Sequence, residues 1–100
     1  MYIAMNRFKI NPGKELDFEN IWKTRDTHLE AVSGFLEFHL LKGKETEEYT
    51  LYSSHSKWKS EKHFTDWTKS EAFRLAHKNA GQSKDIYLGH PEFEGFTTVI

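Results

Sequence analysis

The side chains of this sequence that could do chemistry together are a tryptophan, a histidine and an asparagine. Trp67 and His77 lie ten residues apart, and Asn6 lies near the N-terminus. A neutral imidazole can act as a base or bind a metal ion, an indole forms a bulky apolar surface, and an amide can donate a hydrogen bond. This combination indicates a ligand pocket with an aromatic wall and a polar donor.

Aromatic content is the unusual feature of the composition, since Phe, Tyr and Trp make up 15% of the 100 residues. A core built from large side chains and a pocket for a flat hydrophobic ligand both account for it. The same chain also offers an imidazole that could bind iron and an amide donor, which are parts that a haem pocket needs.

The rest of the composition excludes several classes of protein. The chain has no cysteine, which excludes disulfides, thiolate metal sites, a thiol nucleophile and covalent C-x-x-C-H haem attachment. Its formal net charge is -1 with dispersed lysines and arginines, which argues against nucleic acid or an anionic membrane as the main partner. The N-terminus does not resemble a signal peptide and no apolar run could span a bilayer, so we expect a cytoplasmic protein without a membrane partner.

Other catalytic motifs are absent from the sequence. There is no G-x-S-x-G elbow, no phosphate-binding glycine loop and no dinucleotide fingerprint. The spacing of the remaining histidines does not support a zinc site, because no H-x-x-x-H or H-E-x-x-H pattern occurs. These histidines are His28, His39, His55, His63 and His90.

Hydrophobic periodicity predicts the elements that must position the candidate residues. Residues 2–10 alternate with the period of a strand, and Asn11-Pro12-Gly13 ends it. A helix is predicted next, and Ser33-Gly34 ends that unit. The apolar stripe of this helix would consist of Leu16, Phe18, Ile21, Trp22, Arg25 and Leu29.

The second half of the chain predicts a hairpin, two short helices and a final strand. Residues 35–42 and 49–58 would pair as strands, and the polar stretch 43–48 between them is too long for a tight turn. A loop over residues 80–92 and a strand over residues 93–100 would complete the chain.

Two serines are predicted to begin the short helices between the hairpin and the final loop. Ser60 and Ser70 are suitable N-caps, because a hydroxyl can accept a hydrogen bond from the first turn. The first helix would carry Phe64 and Trp67 one turn apart. The second would carry Phe73, Ala76 and His77 on one face.

The resulting order, β-α-β-β-α-β with a split second helix, is typical of the ferredoxin-like α+β fold. Helices cover one face of its four-stranded sheet and leave the other face open. The side chains expected to point at the helices are Leu36, Phe38 and Leu40. The open face would then carry Phe35, Glu37, His39 and Leu41. Because a chain of 100 residues buries little of such a face alone, we expect one domain over residues 1–100 that forms a homodimer.

Each candidate residue also has a structural explanation. Asn6 shares a strand face with Ala4, and its amide could bond to the backbone at a bulge instead of pointing into a cavity. His77 and Trp67 could be ordinary packing residues of their helices. Arg25 could extend from the apolar stripe to the surface, or it could be a fixed guanidinium that pairs with a carboxylate such as a haem propionate.

One long segment resembles a known family. Its pattern, Trp58-Lys-Ser-x-x-x-Phe64-x-x-Trp67-x-x-Ser70-x-x-Phe73-x-x-Ala-His77, is similar to that of the IsdG-type haem-degrading monooxygenases. These form a branch of the antibiotic-biosynthesis-monooxygenase fold group, whose ferredoxin-like domains form a dimeric α+β barrel. The dipeptide Asn6-Arg7 and the tripeptide Ser33-Gly34-Phe35 also match. The resemblance covers nearly the whole chain in length and element order, but the loop over residues 80–92 does not align.

The resemblance implies that haem is both substrate and cofactor, with O2 as co-substrate and an unidentified electron donor. His77 would be the axial ligand of the iron, and Asn6 would donate a hydrogen bond to dioxygen on the opposite side. Trp67 would press on the porphyrin, force it out of plane and expose a meso carbon to attack. The remaining haem contacts would come from Arg25, Phe64 and Phe73.

Two other functions fit the same residues. One is a cofactor-free monooxygenase that acts on an aromatic quinol or polyketide, with His77 as its base. The other is a haem carrier that binds haem without degrading it. Hemin binding followed by exposure to a reductant would separate the three functions.

Overall fold

The computed structural model describes residues 1–25, 27–77 and 85–100. In chain order the elements are β1 (Tyr2–Ile10), α1 (Glu15–Thr24), β2 (Phe35–Glu45), β3 (Thr50–Trp58), α2 (Glu61–Thr68), α3 (Glu71–His77) and β4 (Glu92–Thr97). The strands form one sheet in the order β2-β3-β1-β4, and every neighbouring pair is antiparallel. This arrangement confirms the predicted α+β, ferredoxin-like fold with a split second helix. Within the described ranges, no helix is long and apolar enough to cross a membrane.

Helix α1 is shorter than predicted. It begins after the turn at Gly13, whose φ of 86° is readily adopted only by glycine, and it ends at Thr24. The predicted stripe was therefore wrong at Leu16, and its last two members, Arg25 and Leu29, lie beyond the end of the helix. Leu16 is 73% exposed, because two residues along a helix from the buried Phe18 is a rotation of about 200°. Leu29 is buried, but it belongs to the irregular segment after the helix.

The β2–β3 hairpin is more compact than predicted. Strand β2 continues to Glu45, and only residues 46–49 connect it to β3. The hydroxyl oxygen of Thr46 accepts hydrogen bonds from the backbone N–H groups of Glu48 and Tyr49, at 3.2 Å and 3.1 Å. This local bonding closes the connection. Half of the polar stretch 43–48 that was predicted to be a loop, residues 43–45, therefore belongs to strand β2.

A bulge at the start of β2 changes which side chains face the helices. Phe35 pairs with Trp58 and Glu37 pairs with Lys57, so Leu36 is an extra residue without its own partner. Phe35 consequently packs edge-on against Trp58, with 5.6 Å between ring centroids, whereas Leu36 is exposed. The prediction was thus wrong for these two residues, which exchange faces. It was right for the helix side of Phe38 and Leu40 and for the open side of Glu37, His39 and Leu41.

The helix-facing side of the sheet carries two separate apolar clusters. The first is built around Tyr2, Ala4, Leu29, Trp58 and Trp67. The second is built around Phe8, Ile10, Phe18, Tyr52 and Ile86. Between them the sheet presents Asn6 and its β3 partner Ser54, with Ser56 two residues further along β3. Because these side chains are small or polar, they do not fill the space under the helices, and a cavity remains there.

Strand β4 is shorter than the predicted 93–100. It spans Glu92–Thr97, and Thr98 to Ile100 lie outside it. Among the described strands, β4 pairs only with β1, and all of its residues are exposed. Residues 78–84, which include most of the first half of the predicted 80–92 loop, lie outside the described residues.

Candidate functional site

A cavity of about 970 Å³ lies between the sheet and the helices. This volume lies within the usual range for small-molecule sites. Apolar and aromatic side chains make up most of its surface, and a few polar groups point inward. All six residues singled out from the sequence line it, namely Asn6, Arg25, Phe64, Trp67, Phe73 and His77. Residues that are far apart in the chain are thereby brought to one cavity.

The imidazole of His77 is fixed at the C-terminal end of α3. Ser70 directly precedes this helix, and its hydroxyl oxygen accepts a hydrogen bond from the Phe73 backbone N–H at 3.2 Å, as predicted for an N-cap. The Nδ1 atom of His77 is 2.8 Å from the carbonyl oxygen of Phe73. Because a carbonyl only accepts, Nδ1 carries the proton, and in the neutral ring Nε2 keeps a free lone pair. This is the arrangement in which histidines bind metal ions.

The indole of Trp67 is held on several sides. Its ring lies 5.3 Å from that of Trp58, 4.8 Å from that of Phe73 and 6.0 Å from that of His77, measured between centroids. Trp67 is only 9% exposed, yet no described residue accepts a hydrogen bond from its Nε1. A buried donor without a partner costs about 1–3 kcal/mol, so a ligand with an acceptor at this end of the cavity would offset that cost.

The amide of Asn6 lies on the helix-facing side of β1, between Ser54 on β3 and Phe93 on β4. Strand β1 pairs with both neighbours in regular register, without a bulge. No described residue makes a hydrogen bond with the Asn6 side chain. The explanation of Asn6 as an amide bonded at a bulge is therefore wrong, and its polar atoms are available to a ligand.

Arg25 occupies the position just after α1, at one edge of the cavity. Its guanidinium lies 4.6 Å from the ring centroid of Trp22, which is a favourable cation–π distance. Burial lowers the pKa of Arg25 and raises the pKa of the neighbouring Tyr87. No carboxylate of the described residues forms an ion pair with Arg25. A half-buried cation without a counterion is well suited to an anionic group on a ligand.

The sequence did not indicate several residues that line the cavity. These include Trp22, Phe38, Ser54, Tyr87, His90 and Phe93. Phe93 stacks on Phe64 with 5.5 Å between centroids and 8° between planes. Ser54 and Phe93 are the direct strand partners of Asn6, so knowledge of the register, which a single sequence does not provide, would have revealed them.

This fold and site define an α+β domain with a mainly apolar ligand cavity, lined by several aromatic side chains, between its sheet and its helices. Residues 1–79 match the family model of the antibiotic biosynthesis monooxygenases. The chain belongs to that family, and it is therefore a member of a group of monooxygenases. The resemblance inferred from the segment that ends at His77 is confirmed.

Two relatives show the similarity in sequence. Over 92 residues, the chain is 35% identical to a heme-degrading monooxygenase of Bacillus mycoides, covering 88% of this chain and 81% of the relative. Over 78 residues, it is 32% identical to the staphylobilin-producing heme oxygenase 1 of Staphylococcus aureus, covering 78% of this chain and 72% of the relative.

Two solved structures show the similarity in fold. The heme degrader MhuD of Mycobacterium tuberculosis, with two hemes bound in its active site, superposes with a TM-score of 0.76 at 24% identity, over 100% of this chain and 97% of that one. A putative antibiotic biosynthesis monooxygenase of Bacillus cereus superposes with a TM-score of 0.76 at 17% identity, over 99% of this chain and 93% of that one. At these identities the superpositions support the fold.

Proposed function

We propose that this protein is a haem-degrading monooxygenase, which binds haem in the cavity and opens the porphyrin ring with O2 and electrons from an external donor. The observation that carries this proposal is the placement of His77, Trp67 and Asn6 around one aromatic cavity of about 970 Å³. The names of the two sequence relatives support it, because both are haem-degrading enzymes. Bound haem supplies both the iron that activates O2 and the ring carbon that is oxidised.

His77 would hold the iron through Nε2. Its other nitrogen is already committed to the Phe73 carbonyl, and its ring stacks on that of Phe73 with 4.1 Å between centroids. The ring is therefore oriented before the ligand arrives, which reduces the entropy lost on binding. A hydrogen bond to the distal nitrogen also raises the basicity of the coordinating one.

Trp67 would act as a stiff surface against the porphyrin. Because its indole packs against Trp58, Phe64 and Phe73, it cannot move away from a bulky ligand without disturbing the first apolar cluster. A flat macrocycle pressed against it would be distorted, at a cost of a few kcal/mol supplied by binding elsewhere. The proposed result is a ring carbon that is more exposed to oxidation.

Asn6 would orient dioxygen from the sheet side of the cavity. Its amide has no hydrogen bond to a described residue, so one N–H can be donated without breaking an existing contact. Arg25 would pair with a propionate at the cavity edge, since its guanidinium lacks a described counterion. Phe64 and Phe73 would add aromatic contacts to the faces or edges of the ring.

The proposal includes three further parts. An unidentified donor supplies electrons, since haem degradation needs a reductant and the chain has no cysteine pair of its own. The protein acts as a homodimer, because the open sheet face carries exposed apolar side chains such as Leu41 and Phe96. It acts in the cytoplasm, as the sequence predicts.

A hemin titration followed by reduction tests the proposal. We expect a Soret band on addition of hemin, then loss of this band with ascorbate, with iron captured by a ferrous chelator. Catalase is present throughout, so that hydrogen peroxide formed from ascorbate cannot account for the bleaching. A band that persists under reductant would overturn the proposal in favour of a haem carrier, and no band would favour the quinol or polyketide monooxygenase.

A further inference from the structure

The face of the sheet opposite the cavity carries a cluster of potential metal ligands. Glu37 and His39 are two residues apart on β2, so their side chains point to the same face. His39 is the direct partner of His55 on β3. The three side chains each offer a ligand atom, and these atoms all lie within 4.8 Å of one another. The fold thereby assembles two imidazoles and one carboxylate from two neighbouring strands.

The imidazole of His55 has one nitrogen without a hydrogen-bond partner among the described residues. Its Nδ1 is buried, and no described residue makes a hydrogen bond with it. The rings of His55 and His39 are 6.1 Å apart and inclined by 47°, so they are neighbours without stacking closely. An imidazole nitrogen that is removed from water and lacks a hydrogen bond is destabilising, and coordination of a cation would remove that cost.

The charges around the cluster leave its carboxylate available. Lys57 is the strand partner of Glu37, but no ion pair joins them among the described residues. Arg7, the nearest arginine of β1 in the register, is paired with Glu94 of β4 at 2.5 Å. The remaining strand partner of the cluster is Met5, opposite His55, which carries no charge. Glu37 is therefore an exposed carboxylate beside two histidines, and no described residue forms an ion pair with it.

We propose that Glu37, His39 and His55 bind a divalent transition-metal ion of the Zn2+ class. Two imidazole nitrogens and one carboxylate oxygen are a donor set that suits zinc and similar borderline ions, and three protein ligands leave a fourth position for water. Bonds of about 2.0–2.1 Å place tetrahedral ligand atoms roughly 3.3 Å apart. The three ligand atoms lie at most 4.8 Å apart, so they would have to approach one another by about 1.5 Å at most. Rotation of the exposed side chains of Glu37 and His39 can bring them that much closer.

This site is independent of the haem proposal, because the sheet separates it from the cavity and none of its ligands lines that cavity. Its three ligands all come from one chain, and they lie on the same open sheet face as Leu41, through which we propose that two copies pair. The sequence did not predict it, since the histidines lack helical zinc-site spacing. A cross-strand pair needs no such spacing, because strand register alone determines which residues meet.

Zinc titration of the haem-free protein tests this proposal, with competition by a chromophoric chelator to measure affinity. We expect one Zn2+ per chain, and we expect Glu37→Gln and His39→Ala each to weaken binding by at least about tenfold. Co2+ in place of zinc should give visible absorption typical of nitrogen and oxygen ligands. His28→Asn is the matched control, because it removes an exposed histidine and asparagine tolerates the φ of 54° at this position.

Two further results decide between this site and the cavity. The variant His77→Ala should bind zinc as the unmodified protein does, because His77 lies on the other side of the sheet. If His77→Ala abolishes zinc binding, or if Glu37→Gln and His39→Ala bind zinc as well as His28→Asn does, the proposal is overturned.

Discussion

The ring of His77 is held twice by one residue, Phe73. Its Nδ1 donates to the Phe73 carbonyl at 2.8 Å, and its imidazole stacks on the Phe73 ring with 4.1 Å between centroids. The residues are four apart on α3, so both contacts are made within a single helical turn. This local arrangement orients Nε2 of His77 without help from a distant part of the chain.

We predict that His77→Ala abolishes or severely weakens the Soret band while the fold remains intact. His77 is only partly buried and is not a member of either apolar cluster, so its removal should leave a folded protein. Hemin titration measures the binding, and circular dichroism measures the fold. His28→Asn, which also removes one histidine, should bind hemin normally. An unchanged five-coordinate imidazole spectrum in His77→Ala would remove this residue from the ligand role.

Asn6→Ala should keep haem binding and lose most of the turnover. The amide has no hydrogen bond within the described structure that its removal would break, and its proposed task begins only when dioxygen is present. We expect the rate of Soret loss under ascorbate to fall by tenfold or more, which corresponds to about 1.4 kcal/mol. Asn20→Ala on the exposed side of α1 serves as control. If the rate stays within about twofold of that of the unmodified protein, the change in activation free energy is less than ~0.5 kcal/mol. Asn6 would then have only a structural role.

The protein should have a mass near twice 11.8 kDa in solution. Leu41 is 43% exposed on the open face of the sheet, and Phe96 on β4 is exposed to the same extent. Leu41→Glu should shift the protein towards the monomer, because it would place a charge in an apolar contact. Leu16→Glu makes the same change on the outer side of α1 and should have no effect. Light scattering that gives a single-chain mass at micromolar concentration would disprove the dimer.

The side chain of Glu15 should make stability depend on pH. Hydrogen bonds from its own backbone N–H, from the Thr50 hydroxyl at 2.8 Å and from the Gly13 N–H lower its pKa below the ordinary value near 4.5. A lowered folded-state pKa stabilises the protein above the unfolded pKa, and this stabilisation is lost as the pH falls through the folded value.

Glu15→Gln should therefore be less stable than the unmodified protein at neutral pH, and the difference should shrink as the pH falls below the ordinary glutamate range. Urea unfolding at several pH values measures it. Asp17→Asn, which changes an exposed carboxylate in the same turn, should show a smaller difference that depends less on pH. If the stability difference between Glu15→Gln and the unmodified protein stays constant down to acidic pH, Glu15 does not contribute to the pH dependence of stability.

Local features of this fold could be predicted from sequence, whereas features that depend on strand pairing could not. The alternation of β1 placed Asn6 on the correct face, and the N-caps at Ser60 and Ser70 were correct because a cap involves only its own first turn. The bulge at Leu36 was missed, because a period of two cannot show an extra residue. The approach of His39 to His55 was missed for a related reason, since it depends on the register of two strands.

Trp67 should separate haem binding from haem degradation more clearly than any other residue. Its indole is fixed by Trp58, Phe64 and Phe73, and it presents a rigid surface to the ligand cavity. In Trp67→Ala this surface is replaced by empty apolar space that still admits haem, so affinity should fall only modestly. Degradation should slow strongly, because nothing would then hold the porphyrin out of plane. Trp67→Phe keeps an aromatic ring of smaller size and should be intermediate.

Two measurements on the same three proteins test this prediction. The rate of Soret loss under reductant reports degradation, and resonance Raman or proton NMR markers report the planarity of the porphyrin. Because removal of a buried tryptophan costs about 3–5 kcal/mol of stability, thermal unfolding must first show that Trp67→Ala is folded. If it is not, Trp67→Phe alone carries the comparison. Should Trp67→Phe degrade haem as fast as the unmodified protein, or should planarity be the same across the folded variants, Trp67 is an ordinary core residue and the distortion mechanism is wrong.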